Sequence, residues 1–124
     1  MPLEPPPDVV ILATEWRPRA LIRAQLIEEG FNVVATDTWS MMRGCLRPGF
    51  KPRLAIVDLH NLAQPQEILR DLAVLMKPKL VIVLRASGTM TQTEIEDLGL
   101  GVLNRPITID DIVAAARAVL TASR

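Results

Sequence analysis

Three charged side chains stand at the ends of apolar runs: Asp58 closes RLAIVD, Arg85 follows LVIVL, and Arg105 precedes Pro106 after GVLN. A strand-end carboxylate can serve as nucleophile, metal ligand or half of an ion pair, and a guanidinium can hold it through two parallel hydrogen bonds. Glu15 joins the set behind Ala13 and Thr14, and Ser87 follows Arg85 by two residues. His60, two residues past Asp58, has no partner at metal-ligand spacing and reads as an ordinary loop histidine.

Other chemistries lack their residues. The chain has no G-x-G-x-x-G turn, no Walker lysine, no G-x-S-x-G elbow and no histidine paired with a nucleophile, so it is not expected to be an enzyme. The first turn, ATEWRPR, offers no glycine or hydroxyl run to wrap a flavin phosphate. Cys45 is the single cysteine, which excludes an internal disulfide or a thiolate zinc set and suits a reducing cytoplasm.

The elements that must position these residues follow from periodicity. The runs VVILA (9–13), NVVA (32–35), RLAIVD (53–58), LVIVL (80–84) and GVLN (101–104) are apolar without alternation, as strands covered on both faces require. Helical spacing lies between them: Pro18 to Glu29 stopped by Gly30, Thr38 to Leu46, Gln66 to Met76, a brief helix from Thr91 or Thr93 to Leu98, and Ile109 to about Thr121. Thr108 and Asp111 form a capping-box-like start to the last helix. Alternating strand and helix forces right-handed crossovers, so the expected fold is a doubly wound (βα)5 three-layer α/β sandwich on a five-stranded parallel sheet of flavodoxin-like topology. Ligands in such sheets gather at the carboxyl ends of the strands, which selects Ala13, Thr14, Glu15, Asp58, Arg85, Ser87, Arg105 and Pro106 as the site.

At 124 residues the chain is one domain with room for an apolar core. Residues 1–8, with Pro5, Pro6 and Pro7, are expected to be a disordered leader, and 9–124 the domain. Fourteen basic residues balance fourteen acidic ones, which argues against a nucleic-acid partner. No apolar run is long enough to span a bilayer and no secretion signal is visible, so the expected location is cytoplasmic, away from membranes.

The order of these features resembles the receiver domain of bacterial two-component response regulators, from about Val9 to Leu120. Three stretches carry the resemblance: the acid in LAIVDLHN, the small-residue turn in LVIVLRASG, and the basic residue before proline in GVLNRPITIDDI. The resemblance implies that Asp58 occupies the phosphoacceptor position. An acidic pair that holds Mg²⁺ in the family is replaced by Ala13 and Thr14, with Glu15 one place beyond. Arg85 stands at the hydroxyl position, Arg105 at the lysine position, and Val102 where an aromatic usually reports the switch.

Those departures change the electrostatics. Three carboxylates and one lysine carry about −2, whereas Asp58 and Glu15 facing Arg85 and Arg105 sum to about zero, so Mg²⁺ loses its attraction. No metal or other cofactor is therefore expected, with Glu15 and Asp58 as weak metal candidates, and an internal pair is expected between Asp58 and either Arg105 or Arg85. The function these residues imply is that of a stand-alone pseudo-receiver: a non-catalytic module of phosphorelay signalling that acts by contact with a histidine kinase or another regulator.

Two alternatives stand beside it. One is a working receiver phosphorylated at Asp58 with Mg²⁺; the other is an anion-sensing domain that uses Arg85 and Arg105. Trp16, Trp39, Met41 and Met42 offer either an apolar rim for a partner or core filling. Glu94, Glu96 and Asp97 make the fourth helix acidic, and the resemblance implies a homodimer through the fourth helix, fifth strand and fifth helix.

Overall fold

The computed structural model describes residues 5–122; residues 1–4 of the expected leader and 123–124 of the expected domain lie outside the described residues. Five strands, β1 (Val9–Leu12), β2 (Val33–Thr36), β3 (Leu54–Asp58), β4 (Val81–Leu84) and β5 (Gly101–Leu103), form one parallel sheet in the order β2-β1-β3-β4-β5. This is the doubly wound α/β architecture expected from the unbroken apolar runs. Every residue of β1, β3 and β4 is buried, whereas the edge strands β2 and β5 keep exposed positions.

Alternate side chains of the central strands divide the core in two. Val10, Leu12, Ala55, Val57, Val81 and Val83 pack toward one face, with α2 (Trp39–Gly44), α3 (Pro65–Leu75) and α4 (Gln92–Asp97) above them. Val9, Ile11, Leu54, Ile56, Ile82 and Leu84 pack toward the other, beneath α1 (Trp16–Glu28) and α5 (Ile109–Ala122). The two-residue period of a strand makes this partition automatic once both faces are covered.

Helix starts agree with local chemistry more closely than with apolar spacing. Helix α1 begins at Trp16, two residues ahead of the expected Pro18, because proline lacks only an amide hydrogen that the first turn leaves unpaired anyway. Pro65 likewise opens α3, one residue before the expected start. Thr38 caps α2, and Thr91 caps α4 through a reciprocal box with Glu94. Thr108 and Asp111 exchange the same pair of bonds ahead of α5, at 3.0 and 3.1 Å. A single 3-10 turn, Pro78–Leu80, precedes β4 and has no counterpart in the spacing argument.

Asp8, in the expected leader, is held by the domain. Its carboxylate accepts from the Asn32 amide at 2.8 Å and pairs with Arg53 at 3.4 Å, and its carbonyl accepts from the amides of Arg53 and Leu54. No helix among the described residues is long and apolar enough to cross a membrane.

Candidate functional site at the carboxyl end of the sheet

The strand order places the ends of β1 and β3 side by side at the switch in winding direction, the usual crevice of such sheets. Asp58 is the last residue of β3, in register with Leu84 of β4, so its side chain emerges between the loops after β1, β4 and β5. The side chain is 8% exposed. Its Oδ1 accepts from the His60 amide at 3.0 Å and from an Arg105 Nη at 3.5 Å. A carboxylate so enclosed needs such donors, since an unpaired buried charge is costly.

Arg105 supplies that charge from the loop after β5, and its side chain remains 49% exposed. The peptide bond between Arg105 and Pro106 is cis. Arg85, the other donor left open by the sequence, points elsewhere. Its Nε donates to the Met90 carbonyl at 3.2 Å and its Nη to Asn104 Oδ1 at 3.1 Å, while Asn104 donates onward to Gln92 Oε1 at 2.7 Å. These partners are neutral and lie toward α4. Arg85 and Arg105 nevertheless share a small cleft with Ala86 and Ser87.

The loop after β1 is organised without an acidic pair. Ala13 is fully buried and contributes no side-chain oxygen; Arg19 reaches back from α1 to its carbonyl at 2.8 Å. Thr14 donates its hydroxyl to the His60 carbonyl at 2.9 Å, which ties this loop to the one after β3. Glu15 Oε1 contacts His60 Nε2 at 3.0 Å and accepts from the Asn61 side-chain Nδ2 at 3.4 Å. Asn61 adopts a φ of 56°, a left-handed conformation that asparagine tolerates better than most residues.

Motif spacing does not single out the Glu15–His60–Asn61 cluster, because along the sequence His60 stands as an isolated loop histidine. The signal is nonetheless available. β1 and β3 are adjacent, so residues just past their ends must meet. Among the described residues no group of three or more His, Cys, Asp or Glu side chains is placed to hold a metal ion.

Beneath these polar groups lies a cavity of about 180 Å³ between α1 and α5. Its walls include Ile22, Leu84 and Ile112 from the core, with Pro18, Ile107 and Ile109 above them, and Glu15, Asp58, His60 and Arg105 form its polar side. Of the two tryptophans, Trp16 is 71% exposed, whereas Trp39 packs against the core beneath α2 and α3. Met41 is exposed and Met42 fully buried, so the expected apolar rim is divided between surface and core.

No protein-family model and no curated protein sequence matches the chain. Solved structures do match in shape. The receiver domain of a Francisella response regulator superposes with a TM-score of 0.81 at 15% identity, over 95% of this chain and 99% of that one. The signal receiver domain of a modulated diguanylate cyclase from Desulfovibrio desulfuricans gives a TM-score of 0.72 at 21% identity, over 94% and 95%. An adenylate cyclase structure from Rhodopirellula baltica gives 0.76 at 16% identity, over 91% and 86%. The chain therefore has the fold of response-regulator receiver domains.

Proposed function

We propose that this domain is a pseudo-receiver: a non-enzymatic signalling module that keeps the receiver frame and acts by contact with a protein partner, without Mg²⁺-dependent phosphorylation. The reading rests chiefly on the environment of Asp58. Its carboxylate, at the position of the phosphoacceptor, already receives the His60 amide and the Arg105 guanidinium. Phosphoryl transfer to a carboxylate relies on a dication to neutralise the equatorial oxygens and align the donor.

The donor set does not fit that ion. Magnesium prefers several hard oxygen ligands, yet the two positions of the acidic pair hold Ala13 and Thr14, and the Thr14 hydroxyl is engaged by the His60 carbonyl. Glu15 Oε1 already carries His60 and Asn61, which leaves this carboxylate one uncommitted oxygen among the described residues. Arg105 at Asp58 offsets one of the two carboxylates, so a cation gains less by entering than at a site of three carboxylates and one lysine.

A cytoplasmic protein of a two-component pathway, a histidine kinase or another regulator, is the partner this reading implies. A second copy meeting through α4, β5 and α5 is the homodimer it implies. The deciding experiment is incubation with acetyl phosphate and Mg²⁺ followed by intact-mass measurement. The expected spectrum is unchanged; an acid-labile gain of one phosphoryl group that vanishes in Asp58→Ala would establish the working receiver instead.

A further inference from the structure

We propose that the cavity between α1 and α5 binds a free aliphatic α-amino acid, with its side chain among the isoleucines and its zwitterionic head between Asp58 and Arg105. This site does not rest on the pseudo-receiver reading; it requires only that the Asp58 carboxylate be unmodified.

Shape and chemistry point the same way. The cavity, about 180 Å³, is floored by Ile22, Leu84 and Ile112, and narrowed by Pro18, Ile107 and Ile109; no Phe, Tyr or Trp ring lines it. Such a floor accepts a short branched alkyl group and offers a polar substituent nothing to bond. All polar lining is confined to Glu15, Asp58, His60 and Arg105. A ligand that satisfies both parts has an apolar body and a compact polar head.

The head must carry both charges. Asp58 is more than nine-tenths buried, and among the described residues only its Oδ1 is used by protein donors. Oδ2 remains an open acceptor for an ammonium group. Arg105 uses one nitrogen in a long 3.5 Å contact, which leaves most of a guanidinium's five N–H donors available to a carboxylate. Two carboxylates, Asp58 and Glu15, outnumber one guanidinium on this side. A carboxylate alone would face that excess negative charge; an amine alone would leave Arg105 without a new partner. An α-amino acid presents both groups on one carbon, and its side chain projects away from them.

Titration calorimetry and thermal shift on the full chain test the assignment, with leucine, isoleucine, alanine, isopentylamine and 4-methylpentanoate as probes. Leucine should bind and raise Tm, since a ligand that binds the native state stabilises it. At about fourfold per buried methylene, leucine, with three more carbons, should bind roughly sixtyfold more tightly than alanine. Isopentylamine and 4-methylpentanoate, each lacking half of the head, should bind at least about tenfold more weakly than leucine. Ile109→Phe, which fills a partly exposed wall position, should abolish binding while circular dichroism stays unchanged; Arg105→Gln should erase the preference for leucine over isopentylamine. No response to about 10 mM leucine, a concentration that would load even a millimolar site, overturns the proposal. So does leucine binding that survives in folded Ile109→Phe, or alanine binding as tightly as leucine.

Discussion

Arg105 and Asp58 come from the ends of non-adjacent strands, β5 and β3, and meet at 3.5 Å across the mouth of the sheet. The contact is asymmetric: Asp58 is enclosed, whereas half of the Arg105 side chain stays in water. Solvent screens the arginine end, so the pair contributes less than a fully buried one, whose disruption costs about 3–5 kcal/mol. The carboxylate itself is anchored twice, by a side chain and by the His60 amide.

Substitutions at Asp58 should separate those two anchors. Asp58→Asn keeps an oxygen for the His60 amide and loses only the charge, so urea denaturation should show a loss of at most about 1 kcal/mol. Asp58→Ala also takes the carboxylate from that partly buried amide and should cost about 1–2 kcal/mol. Equal, near-zero effects would mean that Asp58 is not structurally engaged.

Restoring negative charge should restore cation affinity. Glu15 and Asp58 against Arg105 sum to about −1, and Thr14→Asp, made together with Arg85→Thr, adds a third acid for about −2. Mg²⁺ titration followed by NMR should show at least about tenfold tighter binding in that variant than in the unaltered protein. Equal affinities would remove charge as the reason for weak binding.

Most of the frame could be read from the sequence because its causes are local. Unbroken apolar runs specify covered parallel strands, and Thr38, Thr91 and Thr108 announce helix starts by hydroxyl chemistry that needs no tertiary context. Asp58 and Arg105 could be placed for the same reason, as residues at strand ends. Which arginine reaches Asp58 could not, because Arg85 is drawn aside by Asn104 and the Met90 carbonyl, partners that only the folded loops assemble. The Glu15–His60 contact joins residues 45 apart and depends on β1 lying beside β3. The cavity is likewise a product of how α1 and α5 pack, which hydrophobic spacing alone does not resolve.

The caps provide a stability test away from the site. Thr91→Ala and Thr108→Ala each remove a hydroxyl that accepts from a first-turn amide, and each should cost about 1 kcal/mol. Serine at either position should recover most of that loss, because its hydroxyl reaches the same amide. Chemical denaturation of the four variants checks this. Alanine variants as stable as the unaltered protein would show that the caps are replaced by water at no cost.

Trp16 and Trp39, which the sequence presents as a pair, should behave oppositely. Trp16 projects into solvent at the start of α1, so Trp16→Ala should change stability by no more than about 0.5 kcal/mol. Trp39 packs at the start of α2 against a cluster that includes Met42 and Leu46, and losing that ring should cost about 2–4 kcal/mol, somewhat below a fully buried tryptophan. Fluorescence distinguishes them independently: iodide should quench the emission that remains in Trp39→Phe, where Trp16 alone reports, more strongly than the emission that remains in Trp16→Phe. Equal quenching in the two variants would contradict the placement of Trp39 against the core, and with it the division of the apolar rim into one exposed ring and one structural ring.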